Sequence, residues 1–123
     1  MEALKDLEKE HPIASSWRPL ICEVVNAVVE GDYSLSSKFQ NTVSIPSDIA
    51  TANRNYISDY AETLVPLQNE TWESSCAQWM GAHWDIIIDL FTESEGLSDL
   101  VLTGKVCENN GKIQITVGLI YVP

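Results

Sequence analysis

The stretch Gly104-Lys105-Val106-Cys107-Glu108-Asn109-Asn110-Gly111-Lys112-Ile113-Gln114-Ile115-Thr116-Val117 decides the fold reading. Asn110-Gly111 suits a tight type I′ turn, which needs positive φ at both central positions. Pairing Asn109 with Lys112 then places Val106 opposite Ile115, Gly104 opposite Val117, Leu102 opposite Leu119 and Leu100 opposite Tyr121. Side chains alternate along a strand, so these residues share one face. Upstream, a turn through Glu93 to Gly96 continues that face if Leu90 meets Leu100 and Ile88 meets Leu102, with Asp85 facing Lys105 on the other side. A slip of one residue would turn Ile86, Ile88 and Leu90 outward, so the agreement of the turns supports a three-stranded antiparallel meander. Its outward face reads as mixed: Asp85, Ile87, Asp89, Phe91, Asp99, Val101, Thr103 and Lys105, with Ile120 and Val122 beside them. Such a face is either half covered or a docking surface.

Ahead of the meander the periodicity is helical. Pro19 suits a first helical position, and Leu20, Ile21, Val24, Val25 and Val28 form an amphipathic stripe that ends before Gly31, so a helix is expected over 18–30. Ser47 or Asp48 can cap a second helix running to Tyr60. Residues 62–67 read as a short extended piece in which Pro66 forbids a central strand position. Thr71 can cap a third helix, with Trp72, Cys76, Trp79 and Met80 as its stripe and Gly81 as its stop. The expected fold class is α+β, with N-terminal helices packed on a C-terminal three-stranded antiparallel β-meander. At 123 residues and 45% apolar, the chain reads as one globular domain over 1–123, with 1–12 the candidate for fraying.

Charge is the strongest functional signal. The chain has 18 acids against 7 bases, a net charge of −11. Between Arg54 and Lys105 there is no lysine or arginine, while Asp59, Glu62, Glu70, Glu73, Asp85, Asp89, Glu93, Glu95 and Asp99 all fall in that gap. Such a block projects a negative field, which favours a basic protein partner and argues against nucleic acid or a membrane. Met1-Glu2-Ala3-Leu4-Lys5-Asp6-Leu7-Glu8 lacks the positively charged start and apolar run of a secretory signal, and Ile86-Ile87-Ile88 is too short to span a bilayer. Cys22, Cys76 and Cys107 match no zinc spacing and cannot all pair within the chain. The expectation is a cytoplasmic protein with free thiols.

No catalytic constellation rises from the residues. His83-Trp84-Asp85 invites an acid–base reading, but alternation only sends His83 and Asp85 out together and places no third group beside them. Asp85 and Asp89 stand about 13 Å apart along a strand, too wide for a glycosidase pair, and the Glu93–Glu95 pair gives no such geometry either. Cys22 and Cys76 sit on apolar stripes and read as core, whereas Cys107 ends a strand and reads as exposed. Trp72, beside Glu70 and Glu73, is the tryptophan expected to be partly exposed. No phosphate loop, dinucleotide fingerprint or nucleophile elbow is present, and neither cofactor nor metal is expected.

Trp79-Met80-Gly81-Ala82-His83-Trp84-Asp85, the run from Asp89 through Leu102, and the ending Tyr121-Val122-Pro123 resemble a family of small uncharacterised bacterial domains over about residues 60–123. That resemblance implies no activity and no catalytic residues. In general character the chain is also similar to immunity proteins of bacterial toxin systems: small, acidic and without a catalytic set. The resulting expectation is a non-catalytic binding module, an immunity or inhibitor protein that neutralises a basic cognate toxin through Trp72, Glu73, Asp85, Asp89, Glu93, Glu95 and Asp99. The alternative is a small enzyme or ligand-binding domain with a pocket near His83 and Asp85.

Overall fold

Asn110 and Gly111 adopt φ of 54° and 78°, the turn that opens the whole register. The computed structural model describes residues 2–35, 39 and 42–123. In chain order the elements are β1 (His11–Pro12), a 3₁₀ turn (Ser15–Trp17), α1 (Arg18–Val29), β2 (Val43–Ser44), α2 (Ser47–Tyr60), β3 (Leu64–Val65), α3 (Thr71–Ser74), β4 (Cys76–Trp79), β5 (Trp84–Thr92), β6 (Gly96–Asn109) and β7 (Lys112–Tyr121).

The three long strands β5, β6 and β7 do form an antiparallel meander, but they are the middle of something larger. The molecule is built on a mixed sheet of seven strands in the order β1-β4-β5-β6-β7-β2, with β3 also pairing β5. β2 joins β7 in parallel and the other pairings are antiparallel. Helices packed on a three-stranded meander is therefore not the fold. The helices over 18–30 and 47–60 form close to their expected bounds, although α2 starts from Pro46 with no side-chain cap. The third does not. Its helical spacing stops after the single turn of α3, and β4 follows, turning Ala77 and Trp79 inward against Ile86 and Trp84.

The register holds from Asn109–Lys112 to Gly104–Val117 and then slips at a bulge in β7, so that Leu102 faces Ile120 and Val101 faces Tyr121. Leu119, expected opposite Leu102, is consequently 44% exposed, and Ile120, expected outside, is 2% exposed. Gly118 marks the bulge. A Cβ there would lie 2.8 Å from Thr103 Oγ1, whose hydroxyl donates to the Leu119 carbonyl at 2.7 Å. A second irregularity lies between β5 and β6, where Asp89 faces Val101 but Phe91 faces Leu97. The buried Ser98 fills it: its hydroxyl donates to the Leu90 carbonyl at 2.8 Å and accepts from the Leu100 N–H at 3.1 Å. Phe91, read as outward and mixed, is fully buried.

One face of the sheet carries the core. Ile21, Val24, Val25 and Val28 of α1, with Ile13 and Trp17 before it, pack with Trp84, Ile86, Ile88, Leu100, Leu102, Val106, Ile115 and Val117. Each such side chain contributes about 1.5–3 kcal/mol on burial, which is what holds a valine-rich helix of modest intrinsic propensity.

The strand edges are finished by side chains rather than by further strands. On β7, beyond its two residues paired with β2, Asn53 of α2 donates to the Gly118 carbonyl at 3.1 Å and accepts from the Ile120 N–H at 2.7 Å. One turn further along α2, the Tyr56 hydroxyl accepts from the Val122 N–H at 3.2 Å. On β5, in the gap between β4 and β3, the Thr71 hydroxyl donates to the Asp89 carbonyl at 2.7 Å and Ser75 Oγ accepts from the Asp89 N–H at 3.0 Å. Open N–H and C=O rows invite pairing with other chains, and these side chains remove that invitation.

Candidate protein-binding surface

The carboxylates of the base-free stretch separate into two groups. The first gathers around the β5–β6 turn. α2 ends at Ala61 in the left-handed conformation, φ 64°, which delivers Tyr60 and Glu62 to this turn. The Tyr60 hydroxyl donates to both Glu95 oxygens, at 2.9 and 3.1 Å, and the Thr92 hydroxyl donates to Oε1 at 2.9 Å. The Glu95 N–H returns to Thr92 Oγ1 at 3.2 Å, and the Ser94 hydroxyl donates to the Glu62 carboxylate. Burial and then the hydrogen bond to Glu95 push the Tyr60 phenol up, and the charges of Glu95 and Asp99 add to that. Glu93 and Asp99 are exposed. The last turn of α2 has no basic residue, so the negative end of its dipole adds to the field of this cluster.

The second group lies along β5 and α3. Asp85 is half-buried, and its Oδ1 accepts a hydrogen bond from His83 Nε2 at 2.9 Å. Asp89 accepts from the Ser74 hydroxyl, and Glu73 is exposed on α3. Trp72 is half-buried against the core, with the Arg18 guanidinium 5.2 Å from its ring centre, so it presents a covered face rather than a free one. Among the described residues, the one ion pair made by a lysine or arginine is Lys5 with Glu108 at 4.0 Å. None of the carboxylates between Arg54 and Lys105 is countered in this way.

The sheet face opposite α1 holds a shallow trough of about 320 Å³ lined by Asp85, Ile87, Thr103, Lys105, Thr116 and Gly118. Ile87 at its wall is 42% exposed. Cys76 is not on a helical stripe but on β4, half-buried, where burial and a hydrogen bond to the Glu10 carboxylate push its thiol up to about 12. Cys22 is also half-buried, with its thiol pushed up by burial, and Cys107 is exposed. Among the described residues no three His, Cys, Asp or Glu are grouped to hold a metal ion, and no helix is long and apolar enough to cross a membrane.

Sequence reasoning named Glu93, Glu95 and Asp99 as partner-binding residues, but Glu62 only as one acid of the base-free stretch and Tyr60 only as the end of a helix. The signal for Tyr60 was its spacing from Asn53 and Tyr56, one polar stripe on α2 that follows the β7 edge. A family model described as a domain of unknown function, DUF7668, matches residues 25–123. The chain belongs to that family. In this member the DUF7668 match takes in β2 to β7, and therefore both carboxylate groups and the trough, while β1 and the first turns of α1 lie ahead of it. No curated protein and no solved structure matches the chain.

Proposed function

We propose that this protein is a non-catalytic binding module of the immunity or inhibitor type, which captures a basic protein partner, a cognate toxin, on its acidic surface. The observation that carries the reading is the cluster of Glu62, Glu93, Glu95 and Asp99 around the β5–β6 turn, set against a helix C-terminus and countered by no lysine or arginine among the described residues. Like charges held together cost stability, and the hydrogen bonds from Tyr60, Thr92 and Ser94 reach only Glu95 and Glu62. A cationic partner would turn that cost into attraction. Glu95, fixed by Tyr60 and Thr92, is ordered before any partner arrives, which reduces the entropy lost on binding. Nuclease-type toxins carry positive surfaces to hold nucleic acid, and they are the natural class of target.

The test is surface plasmon resonance against the product of the adjacent gene. Replacing Glu93 and Asp99 with lysine should slow association at least about tenfold and leave the melting temperature within a degree or two, since exposed carboxylates contribute little to folding. Unchanged association would reject the reading.

The trough supports a second reading, a small-ligand site with the Asp85 carboxylate and the Lys105 ammonium on its walls and His83 hydrogen-bonded to Asp85 at its rim. Chemical-shift changes confined to Ile87, Thr103 and Gly118 in a fragment titration would favour it.

A further inference from the structure

Residues 2–10 form neither helix nor strand, yet they are held at defined points on β4, β5 and β6. The Trp84 indole N–H donates to the Leu4 carbonyl at 3.0 Å, and the Gln78 amide donates to the Asp6 carbonyl at 2.9 Å. Between those carbonyls, the Lys5 ammonium lies 5.0 Å from the Trp79 ring centre and 5.9 Å from that of Trp84. The two indoles contact each other at 4.6 Å, and Trp17 backs Trp84 edge-on at 5.1 Å. Together these residues make a shelf with a seat for one cation and two donors that read the main chain on either side of it.

The segment on that shelf is held mainly by polar contacts: besides the two carbonyls, Lys5 pairs with Glu108 at 4.0 Å and Glu10 accepts from the Cys76 thiol at 3.3 Å, with Ala3 packed against the core. Its leucines do not anchor it: Leu4 is 52% exposed and Leu7 68%. Beyond the shelf it adds to the sheet by only the two residues of β1. A cavity of about 320 Å³ lined by Glu2, Lys5, Trp17, Trp84 and Glu108 remains beside it, so the segment does not fill its own site. Gln78, Trp79 and Trp84 fall within the family match and residues 2–10 fall outside it. Cation–π attraction selects a lysine or arginine, and main-chain carbonyl contacts impose no further sequence.

We propose that the Trp79–Trp84 shelf is a docking site for a lysine-bearing segment of a basic protein partner, and that residues 2–10 occupy it in cis until such a segment displaces them. The proposal rests on the reading that the partner is a basic protein. It adds to the acidic turn a second, short-range point of recognition.

The 123-residue chain tests it through the hydrogen exchange of the Trp84 indole N–H, followed by NMR. Lys5→Glu puts a carboxylate over the ring faces and beside Glu108, and should speed that exchange about tenfold by loosening the segment. Adding the peptide Glu-Ala-Leu-Lys-Asp-Leu-Glu-Lys-Glu-His-Pro to the Lys5→Glu chain should restore slow exchange. The same peptide with norleucine at its first lysine should not. Exchange unchanged by Lys5→Glu, or equal effects of the two peptides, would overturn the docking site. Restoration by the lysine peptide alone supports it even where charge reversal at the β5–β6 turn leaves toxin capture intact, so the two readings fail separately.

Discussion

Removing the Asn53 side chain should expose how the sheet edge is held. Asn53 is 2% exposed, and its amide satisfies the Gly118 carbonyl and the Ile120 N–H at the bulge. In Asn53→Ala both backbone groups are left buried without partners at about 1–3 kcal/mol each, so a loss of about 3 kcal/mol is expected. With a urea m-value of about 2 kcal/mol/M, the unfolding midpoint should fall by about 1.5 M, read by the fluorescence of the buried Trp17 and Trp84. Asn53→Asp makes the sharper test. Its carboxylate can still accept from Ile120 but meets the Gly118 carbonyl with no proton to donate. The protonated acid restores that donor, so the folded-state pKa lies above the unfolded value of about 3.9. A raised folded pKa means the native state holds the extra proton. The deficit of Asn53→Asp relative to wild type should therefore be full above the folded pKa and shrink as pH falls through it. A loss below about 1 kcal/mol in Asn53→Ala, or a deficit in Asn53→Asp that does not shrink on acidification, would refute the reasoning.

Three further outcomes follow from the same geometry. Gly111→Val should cost about 1 kcal/mol or more in chemical denaturation, because position 111 needs φ of 78°. Gly118→Ala should destabilise through its clash with Thr103 Oγ1, and Thr103→Ala in the same chain should recover part of that loss, a non-additivity that a double-mutant cycle reads directly. Native iodoacetamide labelling followed by mass spectrometry should modify Cys107 first. With its thiol pushed up to about 12, Cys76 is roughly one part in ten thousand thiolate at pH 8 and should react far more slowly.

The sequence carried the centre of the fold and missed its borders. Asn110-Gly111 and the alternation of Ile86, Ile88 and Leu90 placed the three long strands, because a turn with a unique φ requirement and a buried face leave little freedom of register. The slip at Gly118 was hidden: its cause is contact with Thr103 on the neighbouring strand and with Asn53, 65 residues away. Residues 71–81 satisfied two periods at once, Trp72, Cys76 and Trp79 for a helix and Ala77 and Trp79 for a strand. The hydroxyls of Thr71 and Ser75, drawn to the edge of β5, decided against the helix. β1, β2 and β3 are two residues each, too short for any period to show. At the surface, the acids were legible as a gap in basic residues, whereas their grouping depended on where α2 ends. The shelf under Lys5 was not legible, since it joins Asp6 to Gln78 and Leu4 to Trp84, 72 and 80 residues apart in the chain.

The most direct test of acidic capture is the association rate of the wild-type protein with the adjacent gene's product, measured by surface plasmon resonance across a salt series. Long-range attraction is screened over about 10 Å at 0.1 M salt and about 3 Å at 1 M. The association rate should therefore fall about tenfold or more over that range while the dissociation rate changes little. An association rate independent of salt would contradict the account.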